Sequence, residues 1–116
     1  MINHIDSILN DITERLKPIG IEKLILFGSY AYGTPNDDSD IDLLVVTGDD
    51  FIPINFKEKS EIYLKVARLL RDIEETMPID LIVHTKRMYQ KFIKLNSMFC
   101  RKIQKDGLVL YDNNRQ

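Results

Sequence analysis

Apolar residues recur at helical spacing in three parts of the chain, and this pattern predicts three amphipathic helices. The first covers residues 3–16 and the second covers residues 56–75. The third follows Thr85, a good N-cap residue, and ends at Gly107. Each helix has one apolar stripe, so each is expected to pack on a partner layer.

Short apolar runs between and after these helices predict β-strands at residues 22–27, 40–46 and 79–84, with an edge strand at 108–111. Strands that alternate with helices indicate an α/β layer structure in which helices pack on a sheet. The spacing alone leaves open whether that sheet is mixed or parallel.

Composition narrows the class of protein. With 116 residues, of which 44% are hydrophobic and 29% charged, the chain fits one globular domain over 1–116, with a loose tail at 112–116. Cys100 is the one cysteine of the sequence, so no internal disulfide is possible, and this favours the reducing cytoplasm. We expect Cys100 to be a small residue of the core. We expect no signal peptide and no membrane span. A net charge of −2 disfavours bulk electrostatic binding of nucleic acid, although a tRNA acceptor stays open.

The Gly28-Ser29 pair directly follows a predicted strand. Because glycine has no Cβ, backbone N–H groups can approach a phosphate closely at such a position. Ser29 adds a hydroxyl group, and a helical turn beginning here would add an anion site. The pair is a candidate phosphate-binding element, although Gly-Ser alone is an ordinary strand end.

Two carboxylates at the start of the next strand form a candidate metal site. Side chains alternate along a strand, so Asp40 and Asp42 share a face with Cα atoms about 6–7 Å apart. That spacing suits two divalent ions roughly 3.5–4 Å apart, and Mg²⁺ prefers carboxylate, phosphate and water oxygens. Asp80 opens the following strand among apolar residues, where an unpaired charge is costly. If the two strands are neighbours, Asp80 is a third ligand or accepts the proton of an attacking hydroxyl group.

Other polar positions have simpler interpretations. His84 shares a strand face with Asp80, and we interpret it as a partly buried structural histidine. Asp37 and Asp38 are interpreted as turn residues. Seven cations with no acidic residue among them lie in residues 86–105. They are interpreted as a solvated helix face, and a surface that docks a partner or steers phosphates is the alternative.

The order Gly28-Ser29, ten residues, then Asp40-Ile41-Asp42 resembles the signature of the DNA polymerase β-like nucleotidyltransferases. The stretch SDIDLLVV is most similar to their minimal members in bacteria and archaea, and the resemblance covers most of the chain. It implies a small mixed sheet packed against helices, the palm-like core of that superfamily. Tyr32 is a departure, because members often carry an arginine in this turn.

The resemblance also implies roles for the site residues. Gly28 and Ser29 would contact the triphosphate of a nucleotide. Asp40 and Asp42 would bind two Mg²⁺ ions, with Mn²⁺ as an alternative metal. Asp80 would bind the catalytic metal and activate the acceptor.

The implied reaction is transfer of a nucleoside monophosphate, AMP from ATP, to an acceptor hydroxyl group with release of pyrophosphate. In similar families the partner is often a helical HEPN protein, the two acting as antitoxin and toxin, so we expect transfer to a tyrosine of such a partner. A catalytically weak module that acts by contact is one alternative, favoured by Tyr32. A drug-modifying adenylyltransferase is another, disfavoured because we expect no second domain to hold the drug.

Overall fold

A computed structural model describes residues 2–36 and 38–114. They form a four-stranded mixed sheet in the order β3-β2-β1-β4. The strands are β1 (Lys23–Phe27), β2 (Ile41–Val46), β3 (Ile79–His84) and β4 (Leu108–Asp112). The α-helices are α1 (Ile2–Leu16), α2 (Ser29–Tyr32), α3 (Phe56–Ala67), α4 (Arg71–Glu74), α5 (Lys86–Leu95) and α6 (Met98–Asp106), with 3₁₀ turns at Lys17–Ile19 and Arg68–Leu70.

Strand alternation gives the sheet two apolar faces, and helices cover both. On one face, Leu24, Leu26 and Leu43 belong to the larger core, where they join residues of α1, α3 and α4. On the other face, Ile25 and Leu44 join residues of α5 and α6 in a smaller cluster. The predicted layer structure is confirmed, and its strands begin and end within one residue of the predicted bounds.

The pairing of the strands determines where the candidate residues meet. β1 pairs antiparallel with both β2 and β4, whereas β2 and β3 run parallel. The sheet is therefore mixed, as the family resemblance implied. Because β2 and β3 run parallel, both strands begin at the same end of the sheet, and Asp42 and Asp80 lie there.

The single helix predicted over residues 56–75 is wrong, because the segment is interrupted at the 3₁₀ turn Arg68–Leu70. Arg15 of α1 donates a hydrogen bond of 3.0 Å to the Leu69 carbonyl group and a second one to Asp72. These contacts stabilise a carbonyl group at the interruption and join α1 to α4. Apolar periodicity continues across the turn, so the sequence pattern does not reveal it.

The single helix predicted between Thr85 and Gly107 is also wrong, because α5 ends and α6 begins inside it. Asn96 adopts a left-handed backbone conformation with φ 50°, which ends α5. The Ser97 hydroxyl group then accepts a hydrogen bond from the Cys100 N–H group and caps α6. The expected cap at Thr85 is confirmed, since its hydroxyl group accepts from the Met88 N–H group at 3.2 Å.

The tail predicted to be loose is partly structured. Asp112 belongs to β4, and the Asn113 N–H group donates to the Glu22 carbonyl group at 2.8 Å. Residues 115–116, like Asp37, lie outside the described residues. No helix in the described part of the chain is long and apolar enough to cross a bilayer. Cys100 is fully buried, as expected.

Candidate active site

The beginnings of two parallel strands place Asp42 and Asp80 side by side. Asp42 is the direct partner of Asp80 in the β2–β3 pairing, so the two side chains point to the same face of the sheet. The neighbouring strands on which the third carboxylate depended are therefore present. Asp40 lies just before β2 and is exposed, as is Asp80, whereas Asp42 is half-buried.

Burial raises the pKa of Asp42 above its usual value, and the negative charges of Asp80 and then Asp40 raise it further. Among the described residues, no basic side chain forms an ion pair with any of these three carboxylates. The arrangement therefore concentrates negative charge that the protein itself does not neutralise. A cation bound between these groups would remove that repulsion.

Gly28 lies directly against the Asp42 carboxylate. A Cβ atom at this position would lie 1.8 Å from Asp42 Oδ2 and 2.8 Å from Asp42 Cγ, so the carboxylate would have to move to make room for it. Gly28 also has φ +75°, a backbone conformation that favours glycine. The glycine after β1 is thus required both by its own backbone and by the neighbouring carboxylate.

Ser29 begins the short helix α2 immediately after this glycine. Its hydroxyl group donates a hydrogen bond of 3.1 Å to the Ser39 hydroxyl group, and Ser39 also accepts from the Asn36 N–H group at 2.9 Å. Ser39, which sequence reasoning did not single out, therefore joins the loop before Asp40 to the turn after β1. Its sequence signal is its place directly before Asp40, as the first residue of the SDIDLLVV stretch.

The carboxylates do not form a ready-made cage. Within residues 2–36 and 38–114, no three His, Cys, Asp or Glu side chains are gathered closely enough to enclose a metal ion. Asp42 and Asp80 form a pair at the strand edge, and Asp40 lies outside the strand. An oxygen-only set of this kind suits a hard cation that keeps water and substrate oxygens in its shell.

His84 and Tyr32, two further residues named in the sequence analysis, both contact side chains of the C-terminal helices. His84 is half-buried, as expected, and its ring packs edge-on against Phe92 at a centroid distance of 5.2 Å. The Lys102 ammonium group lies 4.7 Å from the centroid of the Tyr32 ring. Sequence reasoning missed this contact, because no spacing rule connects residues seventy positions apart.

Comparison with known proteins agrees with this geometry. Residues 9–116 match the protein family described as "Polymerase beta, Nucleotidyltransferase". A Methanocaldococcus jannaschii protein named "Putative protein adenylyltransferase MJ0604" is 35% identical over 91 residues, which are 78% of this chain and 79% of that protein.

Two solved structures have the same fold. A "putative nucleotidyltransferase" from Sulfolobus solfataricus is 21% identical with a TM-score of 0.58, over 92% of this chain and 82% of that chain. A toxin–antitoxin structure with AMP-PNP is 24% identical with a TM-score of 0.55, over 92% of this chain and 75% of that chain. The family match spans nearly the whole chain and includes Gly28, Ser29 and all three aspartates. The chain therefore belongs to the polymerase β nucleotidyltransferase family and is a nucleotidyltransferase.

Proposed function

We propose that this chain transfers AMP from ATP to a hydroxyl group of a protein, with release of pyrophosphate, and that the reaction takes place at Asp42 and Asp80. The observation that carries the proposal is the direct pairing of these two carboxylates beside Gly28. The M. jannaschii relative, whose name describes a protein adenylyltransferase, supports AMP as the group and a protein as the acceptor.

Asp42 and Asp80 would hold Mg²⁺ together with Asp40, two ions being expected and Mn²⁺ being able to replace them. All three residues offer carboxylate oxygens, the ligands that Mg²⁺ prefers, and no basic side chain in the described part of the chain competes for them. When bound, the ions supply charge neutralisation at the phosphates and align the attacking oxygen.

The protein residues divide the remaining work. The backbone at Gly28 and the Ser29 hydroxyl group bind the triphosphate, next to the half-buried Asp42. Asp80 is exposed at the edge strand, so an acceptor hydroxyl group can approach it from solvent. Asp80 accepts the proton of that hydroxyl group. The hydroxyl oxygen of the acceptor forms a bond to the α-phosphorus, and the bond from the α-phosphorus to the oxygen that leaves with pyrophosphate breaks.

A tyrosine of a helical HEPN partner is the acceptor we propose, with this chain as the antitoxin of the pair. The structural likeness to a toxin–antitoxin protein with AMP-PNP agrees with this choice, although that likeness by itself establishes only the fold. Large apolar side chains are exposed at two places where a partner could cover them: Ile54 and Phe56 around the start of α3, and Leu95 and Met98 around the turn between α5 and α6.

The test is transfer of label from α-³²P-ATP, in Mg²⁺, to a HEPN protein encoded beside this chain. We expect labelled partner with the unchanged protein and a loss of about a hundredfold or more with Asp42→Asn or Asp80→Asn. Asp38→Asn is the matched control, because it removes an exposed carboxylate from the same loop and should leave transfer unchanged.

The same variants separate an enzyme from an antitoxin that acts by contact. Asp42→Asn should still bind the partner in a pull-down assay but should no longer protect cells from it. If Asp42→Asn protects cells as well as the unchanged chain does, contact and not transfer explains the protection. If no label reaches the partner under Mg²⁺ or Mn²⁺, the proposed transfer is wrong.

A further inference from the structure

The segment around the candidate phosphate site carries no positive charge of its own. No lysine, arginine or histidine occurs between Lys23 and Lys57, whereas the same stretch contains six aspartates. A nucleoside triphosphate carries several negative charges, and binding it requires donors and cations placed at its oxygens. Any side-chain cation for the triphosphate must therefore come from another part of the chain.

Helix α6 brings such a cation to the turn. Lys102 extends its ammonium group over the ring of Tyr32, 4.7 Å from the ring centroid, while 57% of its side chain stays exposed. Its other contact in the described structure is with Asp106, at 3.2 Å in the next turn of the same helix. An ammonium group has three N–H donors, so these two contacts leave it able to bind a phosphate oxygen.

The position of Lys102 follows from the way in which α6 packs. Phe99 lies one turn before Lys102 on the same side of the helix, and its ring packs edge-to-face with the ring of Phe27, with the centroids 5.6 Å apart. Ile103 is buried in the smaller core beside the same phenylalanine. Helix α6 is thus fixed against the residue that precedes Gly28, and Lys102 is held over the turn that follows.

Tyr32 and Ser29 lie three residues apart in the single helical turn α2, so their side chains are neighbours on one side of it. We propose that Lys102 binds the β- and γ-phosphates of the nucleotide at this turn and that the Tyr32 ring holds its ammonium group there. This inference rests on the proposed function, because it assumes that Gly28 and Ser29 receive the triphosphate. Lys102 thereby supplies from α6 the charge that the Gly28–Phe56 segment lacks.

The test is calorimetric titration of the full chain with AMP-PNP and with AMP, both in Mg²⁺. We expect Lys102→Gln to weaken AMP-PNP binding about tenfold, the lower end of the effect of a hydrogen bond to a charged group. AMP binding should not change, since AMP lacks the outer phosphates. Lys105→Gln is the matched control, because it removes an exposed lysine from the next turn and should bind AMP-PNP normally. Thermal unfolding of each variant verifies that it is folded.

A second substitution tests whether charge at this turn is what matters. Tyr32→Arg in the Lys102→Gln background should restore AMP-PNP affinity to within about threefold, a difference of less than 1 kcal/mol. A loss that Tyr32→Arg does not restore, or an equal loss for AMP, would overturn the role of Lys102. Normal AMP-PNP binding by Lys102→Gln would overturn it as well. If the unchanged chain binds no AMP-PNP, the proposed function fails, and this inference fails with it.

Discussion

At the scale of single residues, the candidate site depends on a close fit between Gly28 and Asp42. The carboxylate occupies the volume that a side chain at position 28 would need. It is also held half-buried beside Asp80, where burial and repulsion raise its pKa. The chain therefore combines unfavourable electrostatics at Asp42 with a backbone conformation at Gly28 that other residues rarely adopt, and both features are common at functional sites.

Gly28→Ala should destabilise the protein by about 1–3 kcal/mol through backbone strain, and should reduce transfer further by displacing Asp42. Gly20→Ala is the control, because Gly20 has a similar φ of +78° but nothing within 4 Å of an added Cβ. Urea unfolding and label transfer measure the two effects. If both variants lose transfer to the same degree, the contact with Asp42 is not the reason for the glycine.

His84 should make stability depend on pH. Burial, and then the charge of Lys59 on α3, hold the pKa of His84 below its usual value of about 6.5. The Tyr89 ring of α5 lies near the His84 ring, with the centroids 6.4 Å apart, and Lys91 lines the same cavity as His84. The Nδ1 atom of His84 is buried without a hydrogen-bond partner. Within the described part of the chain, no acidic side chain acts on the ring to favour its charged form.

Below pH 6.5 the unfolded chain takes up a proton at His84 that the folded protein does not bind. The free energy of unfolding should therefore fall as the pH is lowered from about 7 to about 5. Urea unfolding at several pH values should show that the free energy of unfolding depends less steeply on pH in His84→Phe than in the unchanged chain. An unchanged slope in that variant would assign the pH dependence to other groups.

At the scale of elements, the sequence predicts the strands better than the helices. Residues 79–84 form β3 as predicted, because a short apolar run between Pro78 and Thr85 has clear ends. The helix predicted after Thr85 is too long because apolar periodicity continues through Leu95 and Phe99, although the backbone turns at Asn96. Asn96 followed by Ser97 is a local sequence signal for the end of one helix and the start of the next. The apolar stripe that continues through Leu95 and Phe99 masks this signal.

The contacts that complete the site were beyond any sequence pattern. The pairing of Asp42 with Asp80 could be anticipated only on the condition that their strands are neighbours, because spacing does not determine strand order. Lys102 reaches Tyr32 through the packing of α6 on the sheet, which depends on where α5 ends. The sequence therefore predicts motifs within one segment, but it does not predict contacts between distant segments.

The break between α5 and α6 should be sensitive to the residue at its centre. Asn96→Ala should lower the free energy of unfolding by about 1 kcal/mol, because alanine is disfavoured at a positive φ. Asn96→Gly should be nearly neutral, since glycine adopts this conformation freely. Urea unfolding of the two variants gives the comparison. Equal stability of Asn96→Ala and Asn96→Gly would show that the left-handed conformation is not needed.

At the scale of the whole molecule, the sheet separates stability from chemistry. The larger core lies under α1 and α3, with Leu43 and Val45 fully buried there. The carboxylate pair lies on the opposite face, at the edge of the smaller cluster under α5 and α6. The larger core on one face stabilises the sheet, so the protein tolerates the repulsion between Asp42 and Asp80 on the other face.

The most direct test of the account is thermal unfolding with and without Mn²⁺ and AMP-PNP. Without ligands, Asp42→Asn should unfold at a higher temperature than the unchanged chain, because it removes repulsion with Asp80. With both ligands at a hundredfold excess over Kd, the unchanged chain should gain about 2.7 kcal/mol of stability, and Asp42→Asn should gain little. Asp38→Asn should behave like the unchanged chain. An equal gain for Asp42→Asn would place the metal and nucleotide elsewhere and contradict the account.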